Sequence, residues 1–172
     1  MFWQPRASAP RSIKELSIYV DQQLGELSQA LDTFDVFPVE YVPEWTHSDS
    51  TNPAIGNGTL NAHAIRFGGM AIVQLHLIIG STTTFEATAS PGNWRFSVPW
   101  ACQSFANGRH AGSALLFDSG TQWFNGNTWI GDGDSFFSVV ANDANSHIRK
   151  TVPMTWATSD ILAATIVYPV RD

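Results

Sequence analysis

The chain has 172 residues and a formal net charge of −6, and only 14% of its residues are charged, against about 25% in an ordinary soluble domain. It contains no basic cluster that could follow a phosphate backbone, and no apolar run of about 18 residues that could span a membrane. Hydrophobic residues make up 44% of the chain, with 7 Trp and 11 Phe. We therefore expect copies of the chain or a partner to bury much of the surface.

The first segment, residues 1–11, contains Pro5 and Pro10, which exclude a regular element. We predict a flexible tail or a docking peptide. In the docking interpretation, Phe2 and Trp3 are the anchors that enter a pocket of a partner protein. The segment lacks the charged-then-apolar order of a signal peptide, so we expect synthesis and assembly in the cytoplasm.

Residues 12–35 predict a helix that begins with Ser12 as the N-cap and Glu15 completing a capping box. Its apolar residues recur on average every 3.5 positions, the spacing of a coiled coil. A single helix of this length is marginal in water, so it must pack on something. It could fold back on its own β domain, but we favour a stalk shared between identical subunits. The predicted trimerisation residues are Ile13, Leu16, Val20, Leu24, Leu27, Leu31 and Phe34.

Residues 36–58 contain Pro38, Pro43 and Pro53 and predict a linker with short extended pieces. From residue 59 to residue 172 the pattern is one of short strands and turns. The fold class we expect is mainly β: an antiparallel, jelly-roll-like β-sandwich knob on an N-terminal α-helical coiled-coil stalk.

Two dipeptides predict tight hairpin turns in the knob, Gly68-Gly69 and Asn125-Gly126. Alternation of apolar and polar residues marks the strands, most clearly where Val73, Leu75 and Leu77 alternate with polar neighbours. The predicted strands are 60–67, 70–79, 94–100, 113–117, 122–124, 127–130, 136–141 and 161–170.

The sequence contains no nucleophile elbow, P-loop or metalloprotease motif, and we predict no enzyme, no catalytic residue and no cofactor. A polysaccharide depolymerase would need paired carboxylates, for which Asp118 with Asp132 or Asp134 is the available choice. Nothing but residue type supports that pairing.

Metal binding is also not predicted. Cys102 is the single cysteine, which excludes an intrachain disulfide and a zinc site built on cysteines. His63 and His76 lie on neighbouring strands but are not expected to pair directly. Asp132 and Asp134 predict a solvated turn, and whether this loop holds a metal stays open.

Three aromatic residues lie at the predicted Asn125-Gly126 hairpin: Trp123, Phe124 and Trp129. Such rings line cores and subunit interfaces, and sugars also stack on them. The three are therefore candidates for contact with a glycan or a host receptor, beside the interpretation that they are packing residues.

Short motifs over about residues 41–170 resemble the C-terminal β-sandwich knobs of tailed-bacteriophage tail-fibre, minor tail and head-fibre proteins. The motifs are Tyr41-Val42-Pro43, Thr51-Asn52-Pro53, Gly56–Thr59, Arg66-Phe67-Gly68, Arg95–Pro99, Pro153–Trp156 and the terminal strand to Tyr168.

The resemblance implies a homotrimeric knob exposed on a virion and no catalytic residues. It implies that the N-terminus contacts other virion proteins of the tail or the capsid and that the knob contacts the host surface. Two alternatives stay open: a capsid decoration or head-fibre protein with a stabilising role, and a carbohydrate-binding module. The resemblance does not decide between tail and head.

Overall fold

The computed structural model describes residues 12–32, 38–87, 92–104 and 108–170. The chain divides into two units, the first ending at Asp35 and the second beginning at Val36. Within the described part of the chain, no helix is both long and apolar enough to cross a membrane.

The first unit contains α1 (Ile13–Asp32), which begins directly after Ser12. The predicted helix is thus confirmed, while the coiled-coil stalk stays a prediction. Four side chains of the predicted apolar stripe are described, and all are exposed: Ile13, Val20, Leu24 and Leu27. Phe34, Phe2 and Trp3 lie outside the described residues, as do the side chains of Leu16 and Leu31.

The second unit is mainly β, and its described residues form ten strands in one antiparallel sheet that curls into a half-barrel. The strands are β1 (Val39–Tyr41), β2 (Trp45–His47), β3 (Thr59–Phe67), β4 (Met70–Ile78), β5 (Trp94–Ser97), β6 (Arg109–Asp118), β7 (Gln122–Gly131), β8 (Phe136–Ala141), β9 (Ser146–His147) and β10 (Ile161–Pro169). Their order across the sheet is β1-β3-β4-β10-β6-β7-β8-β5-β2, and β9 pairs with β8.

The predicted antiparallel β class is confirmed, but the strands form one continuous sheet and not two stacked sheets. The long β6–β7 hairpin is the reason. Its two ten-residue strands pair over their whole length, and so connect the part of the sheet around β10 with the part around β8.

Within the predicted linker of residues 36–58, the described part contributes two of the expected short extended pieces, β1 and β2, as strands of the sheet. β1 pairs with β3, β2 pairs with β5, and the two strands form opposite edges of the sheet. One hydrogen bond joins edge strand β1 to β5 near the other edge, where the Tyr41 hydroxyl donates to the Ser97 carbonyl oxygen (3.0 Å). The Glu44 N–H, directly before β2, donates to Ser97 Oγ (2.8 Å).

The inner face of the curled sheet holds the core. Ala71, Val73, Leu75 and Leu77 of β4 point inward and are buried, in the alternation that the sequence predicts. An aromatic cluster surrounds Trp94 in the core. Its ring centroid lies 4.8 Å from that of Trp45 in edge-to-face contact and 5.1 Å from that of Trp156, with those two rings tilted by 45°.

Gly68-Gly69 forms the predicted two-residue turn, since Phe67 pairs with Met70 across it. The second predicted turn is wrong. Asn125-Gly126 lies in the middle of β7, where Gly126 pairs with Ala114 on one side and with Ala141 on the other. A Cβ at Gly126 would lie 2.8 Å from the Val140 carbonyl oxygen, so glycine here permits close packing of strands and not a turn.

Candidate functional site

The exposed aromatic residue of β7 is Trp123, with 59% of its surface accessible. It lies next to the β6–β7 turn and stacks on Phe117 of β6, with ring centroids 4.2 Å apart and planes 29° apart. The pair forms a broad apolar surface at the hairpin end, of the kind on which a sugar ring or another protein can pack.

The other two predicted contact residues lie elsewhere. Phe124 points to the opposite face of β7 and is buried in the core, so it cannot contact a ligand on the outer face. Trp129 is half-buried, with the Arg109 guanidinium 5.0 Å from its ring centroid and the His147 ring 5.8 Å away. It stands six residues from Trp123, about 20 Å along an extended strand. The three rings therefore do not form one platform.

A groove of about 540 Å³ lies on the outer face of the sheet, over β4, β10 and β6. Small residues form its floor, among them Ala163 of β10 and Ser113 of β6, while His63, Gln74 and His76 stand along one side. Register pairs place a polar row across the sheet from His63 through Gln74, Thr165 and Ser113 to Asn127. The groove therefore offers hydrogen-bonding groups to a polar ligand.

His63 and His76 are not register partners, as predicted, because His63 pairs with Gln74 and His76 with Asn61. Beside His63 lies the carboxylate of Glu40 in β1, with Nδ1 and Oε1 3.7 Å apart, and both side chains are well exposed.

A second group of side chains comes together at the other end of the β6–β7 hairpin. One ligand atom each from Cys102, His110 and Asp132 lies within 4.8 Å of the other two. His110 Nε2 is 3.7 Å from Asp132 Oδ1, and the Asp132 side chain is 9% exposed. Cys102 is 3% exposed.

Backbone hydrogen bonds hold this group in place. Asp132 Oδ2 accepts from the Gly108 N–H at 2.7 Å. The Cys102 N–H donates to the Asp134 carbonyl oxygen (2.9 Å), and the Gly133 N–H donates to the Cys102 carbonyl oxygen (3.1 Å). Burial raises the pKa of the Cys102 thiol, and the negative charges of Asp132 and Asp134 add to the rise.

The sequence did not predict this group, since spacings of 8 and 22 residues between its members match no metal-binding motif. The register of the hairpin brings two of its members together. Arg109 pairs with Gly131 at the end of the hairpin away from its turn, so their neighbours His110 and Asp132 lie close to each other. Asp134 is separate, because its Oδ2 accepts from the Gly131 N–H (3.2 Å) within the turn.

A third polar group is enclosed in the core. Glu86 is 1% exposed and accepts from Trp94 Nε1 at Oε2 (2.9 Å) and from the Lys150 N–H at Oε1 (2.7 Å). His47 Nε2 lies 4.0 Å from Glu86 Oε1, and His47 Nδ1 accepts from the Asp49 N–H (3.1 Å). Because Nδ1 is an acceptor, a neutral His47 carries its proton on Nε2, facing the carboxylate. The group joins three loops to the core and is closed to a ligand.

No protein-family model, curated protein or solved structure matches the chain.

Proposed function

We propose that the chain is a non-enzymatic structural protein of a bacteriophage virion, in which α1 joins three copies and the β unit forms an exposed knob. In this proposal the N-terminal segment, with Phe2 and Trp3, attaches the trimer to other virion proteins of the tail or the capsid. The trimer is supported by the apolar pattern of the helix sequence. The phage particle and the attachment are supported by the resemblance to phage knob domains. The alternative within the same class is a capsid decoration or head-fibre protein with a stabilising role.

The observation that carries the proposal is the exposed apolar stripe of α1. Ile13 is 89% exposed, Leu24 58% and Leu27 55%. Burying such side chains stabilises by about 1.5–3 kcal/mol each, and an isolated helix of 20 residues is marginal in water.

We propose that two further copies of α1 pack against this stripe. An apolar residue every 3.5 positions keeps one seam in register along a supercoil, so the same stripe on each copy meets its equivalents. Ile18, 50% exposed, lies off this seam by helical periodicity and is not part of it.

Sedimentation equilibrium of the full chain tests the proposal. We expect a mass of three chains, and we expect Leu24→Asp to shift the mass to one chain because it places charges in the centre of the seam. The matched control is Gln22→Asp, which adds the same side chain on the opposite face of α1 and should leave the trimer intact.

A mass of one chain for the unaltered protein across micromolar concentrations would overturn the shared seam. An equal change of mass in Leu24→Asp and Gln22→Asp would also overturn the shared seam, because the position of the added charge on the helix would then not matter.

A second candidate function, carbohydrate binding, is favoured by the exposed Trp123–Phe117 pair and by the polar groove on the same outer face.

On a glycan array we expect Trp123→Ala to lower binding at least tenfold. Trp129→Ala is the control, and its effect should be smaller because Arg109 and His147 already contact that ring. Absence of signal from the unaltered chain on every host glycan would contradict this candidate.

A further inference from the structure

Three side chains of different chemistry converge at one end of the β6–β7 hairpin: a thiol, an imidazole and a carboxylate. The ligand atoms of Cys102, His110 and Asp132 all lie within 4.8 Å of one another. They come from the loop after β5, from β6 and from the residue that follows β7, so tertiary structure alone brings them together.

The separation of the nitrogen and oxygen ligands is close to the value expected around a tetrahedral ion. Bonds of about 2.0–2.2 Å from zinc to nitrogen and oxygen place those two atoms about 3.4 Å apart at tetrahedral angles. His110 Nε2 and Asp132 Oδ1 are 3.7 Å apart. A shift of a few tenths of an ångström would therefore bring this pair to the ideal separation, and Cys102 Sγ lies within 4.8 Å of both atoms.

The carboxylate is already oriented for such a role. Asp132 Oδ2 is held by the Gly108 N–H at 2.7 Å, which directs Oδ1 towards His110. A Cβ on residue 108 would lie 2.7 Å from Oδ1, so the glycine leaves room for the carboxylate. A carboxylate oxygen that ligates a metal commonly has its second oxygen hydrogen-bonded in this way.

We propose that Cys102, His110 and Asp132 bind one Zn²⁺ ion in the knob. The thiolate and carboxylate charges balance the charge of the ion, which suits a group in which Cys102 is 3% exposed and the Asp132 side chain 9%. Mg²⁺ and Ca²⁺ are not expected, because both prefer oxygen ligands and the group supplies sulfur and nitrogen.

Binding would join the β5–β6 loop to both strands of the hairpin. Ions that bind the folded chain and not the unfolded one raise the melting temperature by mass action. At free Zn²⁺ about one hundred times Kd, we expect a Tm rise of roughly 5–10 °C, and no rise with Mg²⁺ at the same concentration.

The test uses the full chain, stripped of metal with a chelator and dialysed. Isothermal titration with Zn²⁺ should give one site per chain. Titration with Co²⁺ should give a thiolate-to-cobalt charge-transfer band, which reports Cys102 alone because the chain has one cysteine. Cys102→Ser should remove the band, and Asp132→Asn should weaken Zn²⁺ binding at least tenfold.

The matched control is the double variant His63→Gln with His76→Gln, which removes the two histidines of the outer groove and should leave binding unchanged. Zinc binding lost in that variant but kept in Cys102→Ser and Asp132→Asn would overturn the proposal. So would a cobalt complex without a thiolate band, or the absence of saturable binding. Circular dichroism of each variant distinguishes lost ligation from lost folding, and Asp132→Asn keeps the test valid if Cys102→Ser does not fold.

Discussion

At the scale of single residues, Glu86 is a fully buried carboxylate, 1% exposed like Asp160. Two N–H donors, from the Trp94 indole and the Lys150 backbone, point at its two oxygens. Buried donors without an acceptor cost about 1–3 kcal/mol each, so the carboxylate determines where the loop around Lys150 lies against the core.

We predict that Glu86→Gln lowers the free energy of unfolding by about 1–3 kcal/mol, because an amide NH₂ would then face one of the two donors. The measurement is chemical denaturation at neutral pH. Glu44→Gln, at an exposed position, is the control and should change stability by less than about 0.5 kcal/mol. Equal effects of the two substitutions would contradict this role of Glu86.

His147 provides a pH-dependent contribution to stability. Burial lowers its pKa below the usual 6.5, and the nearby Arg149 charge adds to the effect, while a hydrogen bond with the Val139 backbone opposes it. The fold therefore favours the neutral imidazole. The unfolded chain takes up a proton first as pH falls below 6.5, so this contribution is complete above that pH and is lost below it.

We predict that the stability of the unaltered chain falls between pH 7 and pH 5 more steeply than that of His147→Gln. Melting temperatures of both proteins across this range provide the measurement. His63→Gln is the control, because the His63 side chain is 54% exposed, and it should keep the slope of the unaltered chain. Identical slopes for all three proteins would exclude the contribution of His147.

At the scale of elements, β6 and β10 approach closely at Gly112, just beyond the last pair of their register. Their register pairing ends at Thr165 and Ser113, and from there the buried Thr128 hydroxyl of β7 donates to the Thr165 carbonyl oxygen (2.8 Å). The Thr128 side chain of β7 thus satisfies the Thr165 carbonyl oxygen, which a backbone N–H of β6 would satisfy if the register pairing continued. A Cβ at Gly112 would overlap this carbonyl oxygen, so the close approach of the strands requires glycine.

We predict that Gly112→Ala destabilises the β unit by about 1–3 kcal/mol, because the methyl group meets backbone and not a flexible side chain. Gly69→Ala is the matched control, since a Cβ there has open space, and we expect a change of less than about 1 kcal/mol. Urea denaturation of the two variants compares them, and equal losses would refute the close-approach argument.

At the scale of the whole molecule, each unit exposes apolar surface. On α1 the exposed residues include Leu24 and Leu27, and on the outer face of the sheet they include Phe67, Ile72 and Trp123. With 14% charged residues, the chain has few ionised side chains to keep such surfaces in water. This composition supports the proposal that copies of the chain assemble.

The sequence by itself predicted the elements whose signal is local. The helix over α1, the Gly68-Gly69 turn and the alternation of β4 depend on spacing and on backbone preference, which a short window contains. The predicted turn at Asn125-Gly126 was wrong because it, too, rested on a local signal. Its local preference for a turn was overridden by strands on both sides, between which a glycine packs closely.

Only the tertiary structure decided the connection of the strands and the site. The chain places β1 and β2 at opposite edges of one sheet, although only three residues separate the two strands in sequence. It brings Cys102, His110 and Asp132 together and places Phe124 and Trp123 on opposite faces. Strand order and register depend on contacts between residues far apart in sequence, and a single sequence carries no local signal for such contacts.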